Sequence, residues 1–338
     1  MARLGFLILV VGLGWVAAHL GDISGLEHSG AYLLLSGLLL AVGLYGSTHG
    51  IDLTEARRHK KLILLAVTVG VLLKATFMAG VVYLVSGDGR AVILAVAMAQ
   101  IDPLSVASAM GDNRLSERAR TILSAWSAFD DPVTVILGIY AVSFLRPAES
   151  GFTADYVVNL GLNALFAVVA YGVWRLVSKA PPLFGYLAAG IAVVSAAWSS
   201  LMLGLAISGL YLRMPDSRWL ARAVAGAFVL SAFLMGLLLI GGANVAMGTL
   251  LGLTAFVAQM LAALVLTRGL PTTDRVHLGL AQQNGITAVI LALTFERDFP
   301  GFVAVIAPSI LTVNLLYVLA NGIYDAWGPA PAVPVPRD

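Results

Sequence analysis

Cysteine is absent from all 338 residues, which excludes disulfides, thiolate nucleophiles and cysteine-based metal centres. Charge is nearly as scarce: Asp, Glu, Lys and Arg make up 11% of the chain, where soluble domains carry about 25%. The alternation of a transmembrane β-strand is missing too. Apolar runs instead continue over about 20 residues, the length that crosses about 30 Å of hydrocarbon as a helix. No Walker A motif, HExxH motif or intramembrane Ser/His arrangement occurs, so ATP-driven transport and common hydrolytic chemistries lack their residues. The chain is read as a non-enzyme, with no cofactor and no nucleic-acid partner. The five histidines, His19, His28, His49, His59 and His277, offer no pair at metal-ligand spacing in a helix. His59 and His277 are read as solvated loop residues rather than pH sensors.

What is present is apolar: 59% of residues are hydrophobic and mean hydropathy is +0.93. The fold class expected is an all-α polytopic membrane protein of about 12 transmembrane helices. Candidate spans are 4–20, 30–47, 62–85, 89–112, 118–145, 153–179, 183–198, 200–212, 223–240, 246–266, 274–295 and 302–324. The short pair 183–198 and 200–212 could instead form a re-entrant hairpin without altering the orientation downstream. A cleaved signal peptide is the competing assignment for the first run, which follows Arg3 and ends near Ala17-Ala18; retention as a span is preferred. With the amino terminus in the cytoplasm, sixteen basic residues fall inside and only Arg90, Arg146 and Arg297 outside, with Lys74 alone in the membrane. A cell (inner) membrane location with both termini cytoplasmic follows. The densest charged cluster, Glu55, Arg57, Arg58, Lys60 and Lys61, is read as a topology determinant beside anionic lipid. The Pro-rich tail 328–338 is expected to be a disordered cytoplasmic extension.

Charge near the bilayer centre costs at least about 2.5–3.5 kcal/mol and is functional by default. Lys74, Asp102, Asp130, Asp131 and the run Gln282-Gln283-Asn284 all sit near the middle of their spans. Two of those spans carry breakers. Pro103 lacks an N–H and opens its helix at Asp102. Asn284-Gly285 favours unwinding of span 274–295. Broken helices at matching positions of two halves point to a transporter's ion site. Asp102 is expected to neutralise two facing helix N-termini, and Lys74 the opposing C-termini. In orientation, spans 3–5 and 10–12 form inverted triplets, each with its broken helix second.

Asp130 and Asp131 are adjacent and point about 100° apart on a helix, so they take different jobs: one lines an aqueous cavity, the other faces a neighbouring helix or cation. Burial and mutual repulsion bring proton binding within reach of cytoplasmic pH. A site that holds either protons or a hard cation on oxygen ligands, combined with alternating access, gives obligatory exchange. A purely structural pairing of the aspartates with Lys74 is the bland alternative. Trp126, one turn before Asp130, is assigned to packing.

The stretch AQIDPLSVASAMGDNRLSERARTILSAWSAFDDPVTVIL resembles the central signature of the monovalent cation/proton antiporter superfamily. That signature is a broken helix with Thr-Asp-Pro, a basic cytoplasmic turn, then a helix carrying Asn-Asp or Asp-Asp. GLAQQNGITAVILAL is similar to the family's second broken helix. The resemblance implies NhaA-like inverted repeats with two broken crossing helices in a single transporter unit, 1–327. Core helices would be about 62–145 and 246–324, the remainder a dimerisation scaffold, and the assembly a homodimer. Asp131 matches the family's cation- and proton-binding aspartate. Asp130 matches the position that is Asp in electrogenic members. Ile101 stands where the family has Thr. Span 10 lacks the usual Lys or Arg, with Gln259 near that level as a polar substitute. Lys74 is the candidate replacement cation. Asp102, Pro103, Gln283 and Asn284 match the break and charge-compensating positions. The function implied is exchange of Na+, K+ or Li+ for H+; a cation-coupled symporter of a small organic anion is the alternative.

Overall fold

In the computed structural model the chain is described over residues 2–21, 29–89, 91–109, 115–145, 152–214, 216–239, 242–296 and 301–327. Every described element is helical. The order is α1 (Ala2–Gly21), α2 (Gly30–His49), α3 (Leu53–Arg58), α4 (Lys60–Leu65), a π-turn (Ala66–Gly70), α5 (Val71–Ser86), α6 (Ala91–Ala99), α7 (Pro103–Ala109) and α8 (Glu117–Leu145). There follow α9 (Phe152–Val177), α10 (Pro182–Ser199), α11 (Met202–Gly209), α12 (Ser217–Leu238), α13 (Val245–Leu266), α14 (Thr272–Gly279), α15 (Ile286–Glu296) and α16 (Phe302–Trp327). Among the described residues, seven helices are long and apolar enough to cross a membrane, the α4–π-turn–α5 unit among them at 27 residues. The chain is a multi-pass membrane protein.

Each expected span coincides with a helix or a broken pair, with one correction. The stretch 200–212 contains only the eight-residue α11, about 12 Å at 1.5 Å per residue, too short to cross by itself. No side chain of its own caps it; the N–H of Gly204 donates to Asn163 Oδ1 on α9 at 2.7 Å. Arg213, just beyond α11, donates to the carbonyls of His49, the last residue of α2, and Ile51 just after it. The connections after α2 and α11 therefore lie together, as they must if both are cytoplasmic. Arg90, Arg146 and Arg297, the three arginines expected on the outer side, lie outside the described residues, as does the tail 328–338. His277 also departs from expectation: it lies in α14, 6% exposed, with its ring edge-on to Tyr324 at 5.2 Å. The apolar periodicity that made 274–295 one span put this residue at its mouth, whereas α16 covers it.

Close approach is bought with small residues, as is usual where lipid is as apolar as the core. Gly248 and Gly252, one turn apart on α13, face α16: a Cβ would lie 2.6 Å from the ring of Pro308 and 2.7 Å from the side chain of Thr312, respectively. The two triplets have the same construction. α4–α5, then the broken α6/α7, then α8 form the first; α13, then the broken α14/α15, then α16 form the second. α13 packs on α5, and α14 on α8, so the triplets share one core.

A candidate ion site at the crossing of two broken helices

The first interruption falls at 100–102, where Pro103 starts α7 without a donor to give. The second falls at 280–285, where α14 stops and α15 begins after Gly285. The two breaks bond to each other. The N–H of Asp102 donates to Gln283 O at 2.8 Å. In return Gln282 Nε2 and Asn284 Nδ2 each donate to Gln100 O at 2.9 Å, and Asn284 Nδ2 also reaches Met98 O at 3.2 Å. Gln282, Gln283 and Asn284 are all buried, so the polar run faces the crossing rather than lipid.

Asp102 occupies the N-terminal side of the crossing. Its Oδ2 accepts from the N–H of Ser105 at 2.8 Å and from Ser105 Oγ at 2.6 Å, an N-cap for α7. Its Oδ1 accepts from Thr287 Oγ1 in the first turn of α15 at 3.2 Å. One carboxylate thus serves the positive ends of both half-helices. Gly285 makes this possible, because a Cβ there would sit 2.7 Å from Asp102 Oδ2.

On the C-terminal side, freed carbonyls are met by neutral amides. Besides Gln282 and Asn284, Gln259 Nε2 donates to Leu278 O at 2.9 Å and Asn321 Nδ2 to Leu280 O at 3.2 Å. Asn314 Nδ2 takes Asn284 O at 2.9 Å. An amide supplies a directed donor without the desolvation cost of a cation, so carbonyl dipoles alone need no lysine.

Lys74 points at the acidic helix. Its Nζ lies 3.9 Å from Asp130 Oδ2, both side chains being fully buried, and 5.4 Å from the ring centroid of Trp126. Trp126 thus packs, as expected, but against the cation. The π-turn ends one turn before Lys74, and Gly70 within it leaves room for the Trp126 ring; such turns frequent functional sites. Asp130 Oδ2 also accepts the N–H of Ile101 at 2.9 Å, tying α8 to the first break. Asp130 Oδ1 is buried without a hydrogen-bond partner among the described residues, and so are Gln259 Oε1 and Gln282 Oε1. Buried oxygens with unused lone pairs are what a proton or a bare monovalent cation requires. The side chain of Asp131 lies outside the described residues; its backbone continues α8.

The fold adds residues that sequence inspection missed. Thr134, one turn after Asp130, donates to Gln100 Oε1 at 3.0 Å. Thr287, Asn314 and Asn321 complete the amide and hydroxyl shell. The seven-residue spacing of Asn314 and Asn321 puts them on one face of α16, a signal that was available in the sequence.

No protein-family model and no curated protein sequence matches the chain. Solved structures do. The sodium proton antiporter MjNhaP1 from Methanocaldococcus jannaschii, in its pH 8 structure, superposes with a TM-score of 0.68 at 15% identity, covering 94% of this chain and 92% of that one. Its electron-microscopy structure gives 0.65 at 15% identity, with 95% of each chain covered. The protein has the fold of a sodium proton antiporter.

Proposed function

We propose that the chain is a secondary antiporter that exchanges Na+, K+ or Li+ for H+ across the cell membrane by alternating access. The observation that carries this is the buried Asp130–Lys74 pair, 3.9 Å apart, against the crossing of two broken helices, in a fold shared with a sodium proton antiporter. Asp131 is the primary carrier of cation and proton, and Asp130 the partner of Lys74. When a cation or proton leaves Asp131, Lys74 holds the remaining negative charge; when one enters, the lysine's attraction is shared. Two carboxylates and one lysine allow two protons to exchange for one cation, an electrogenic cycle driven by membrane potential at about 2.3 kcal/mol per charge per 100 mV.

The rest of the reading follows the same line. Both termini lie in the cytoplasm, with the α10–α11 pair entering and leaving the membrane on one side. Helices within 62–145 and 246–324 form the moving core, the others the scaffold of a homodimer. The cavity that touches the crossing, lined by Ser105, Asn284, Gly285 and Asn314, holds about 20 Å³. That is room for a water-sized occupant.

The test is ion-driven proton flux in proteoliposomes, for the wild type and for Asp131→Asn. Loss of exchange in the variant is expected; retained exchange refutes the assignment. Dependence of the initial rate on an imposed potential separates the electrogenic cycle from an electroneutral one.

A further inference from the structure

A cavity of about 720 Å³ lies between α3, α4 and the π-turn on one side and α8 and α11 on the other. Its wall is apolar, formed by Leu64, Val67, Ala125, Phe129 and Leu203, and its mouth carries Arg57, Lys60 and Lys61. None of these three bases forms an ion pair among the described residues, and the first turn of α4 holds no acidic residue. Phe129 stands twelve residues into α8 from Glu117, about 18 Å along the helix, so the apolar wall reaches hydrocarbon depth. Leu64, on the wall, is 65% exposed, which leaves the cavity open at its side.

Neither property suits a cation path. A basic mouth repels cations, and an apolar wall offers no oxygen to replace their water. Both properties suit an amphiphile with an anionic head. We propose that this cavity binds one anionic phospholipid of the bilayer, its phosphate on Arg57, Lys60 and Lys61 and an acyl chain against Val67, Phe129 and Leu203. The charge complementarity selects the head, and the depth and apolarity of the wall select a chain over a soluble phosphate. The same wall belongs to α8 and to the helix of Lys74, so an occupant would also brace the two elements that hold the ion pair.

Native mass spectrometry of the detergent-solubilised full chain, titrated with phosphatidylglycerol and with phosphatidylcholine of the same acyl chains, tests this. Transport is not read, so failure of the antiport proposal leaves the result interpretable. The wild type is expected to bind phosphatidylglycerol more tightly, by about fivefold for each basic side chain engaged. The combined Arg57→Gln, Lys60→Gln and Lys61→Gln variant, altered only at exposed positions, loses that preference. Ala56→Trp, which puts an indole into the cavity beside the basic mouth, weakens both lipids. Equal binding of the two lipids by the wild type overturns the proposal, as does a preference that survives the charge variant or unchanged binding in Ala56→Trp.

Discussion

Asp130 and Lys74 form a fully buried ion pair, and removing one member leaves the other uncompensated at about 3–5 kcal/mol. Lys74→Ala is therefore expected to lower the thermal unfolding temperature. Combining it with Asp130→Asn recovers much of the loss, because the two changes are strongly non-additive. Lys74→Ala and Lys74→Gln also change the proton stoichiometry or the pH dependence of exchange, read from flux against imposed potential; unchanged exchange in both sinks the role given to the lysine. Gly285 answers to a different constraint. Alanine there places a Cβ 2.7 Å from Asp102 Oδ2, and the overpacking costs about 1–3 kcal/mol. Thermal unfolding of Gly285→Ala measures it directly, and a wild-type melting temperature would show that Asp102 can move aside.

At the level of elements, the broken helices survive because each lends the other hydrogen bonds. Gln282 and Asn284 on the second break both serve Gln100 O on the first. Gln282→Leu removes one donor from a buried carbonyl that keeps another, so its expected cost is toward the lower end of about 1–3 kcal/mol. Gln282→Leu with Asn284→Leu strips both, and is expected to cost more than the sum of the single changes. The short α11 depends on a cap from another helix. Asn163→Ala removes the acceptor of the Gly204 N–H and is expected to cost about 1 kcal/mol. Hydrogen exchange at the start of α11 would rise with it, and protection equal to wild type would mean another acceptor takes over.

For the whole molecule, the proposed single site shared by cation and protons makes a kinetic prediction. Lowering the pH on the cation-loading side raises the KM for Na+ while leaving the maximal rate unchanged, measured as initial flux in proteoliposomes over several Na+ concentrations. A falling maximal rate at constant KM would argue for a separate proton site. The shared fold with MjNhaP1 over 94% of the chain at 15% identity shows how little sequence identity the fold itself needs.

Scarce charge and long apolar runs announced the helices, since lipid leaves the backbone no other partner than itself. Both interruptions were legible from Pro103 and from Asn284-Gly285, because these residues cannot sustain a helix wherever they lie in the fold. The suspicion attached to Lys74, Asp102 and Asp130 came from the same source: a charge amid hydrocarbon is expensive in any tertiary setting. Partnership was another matter. That amides meet the freed carbonyls, that α11 is short and capped from α9, and that His277 is buried against Tyr324 depend on which helix stands beside which. Those neighbours lie tens to hundreds of residues apart in the chain, where no local periodicity records them. The sequence by itself determined the elements and their weak points; only the tertiary structure decided which dipole, amide and charge each weak point meets.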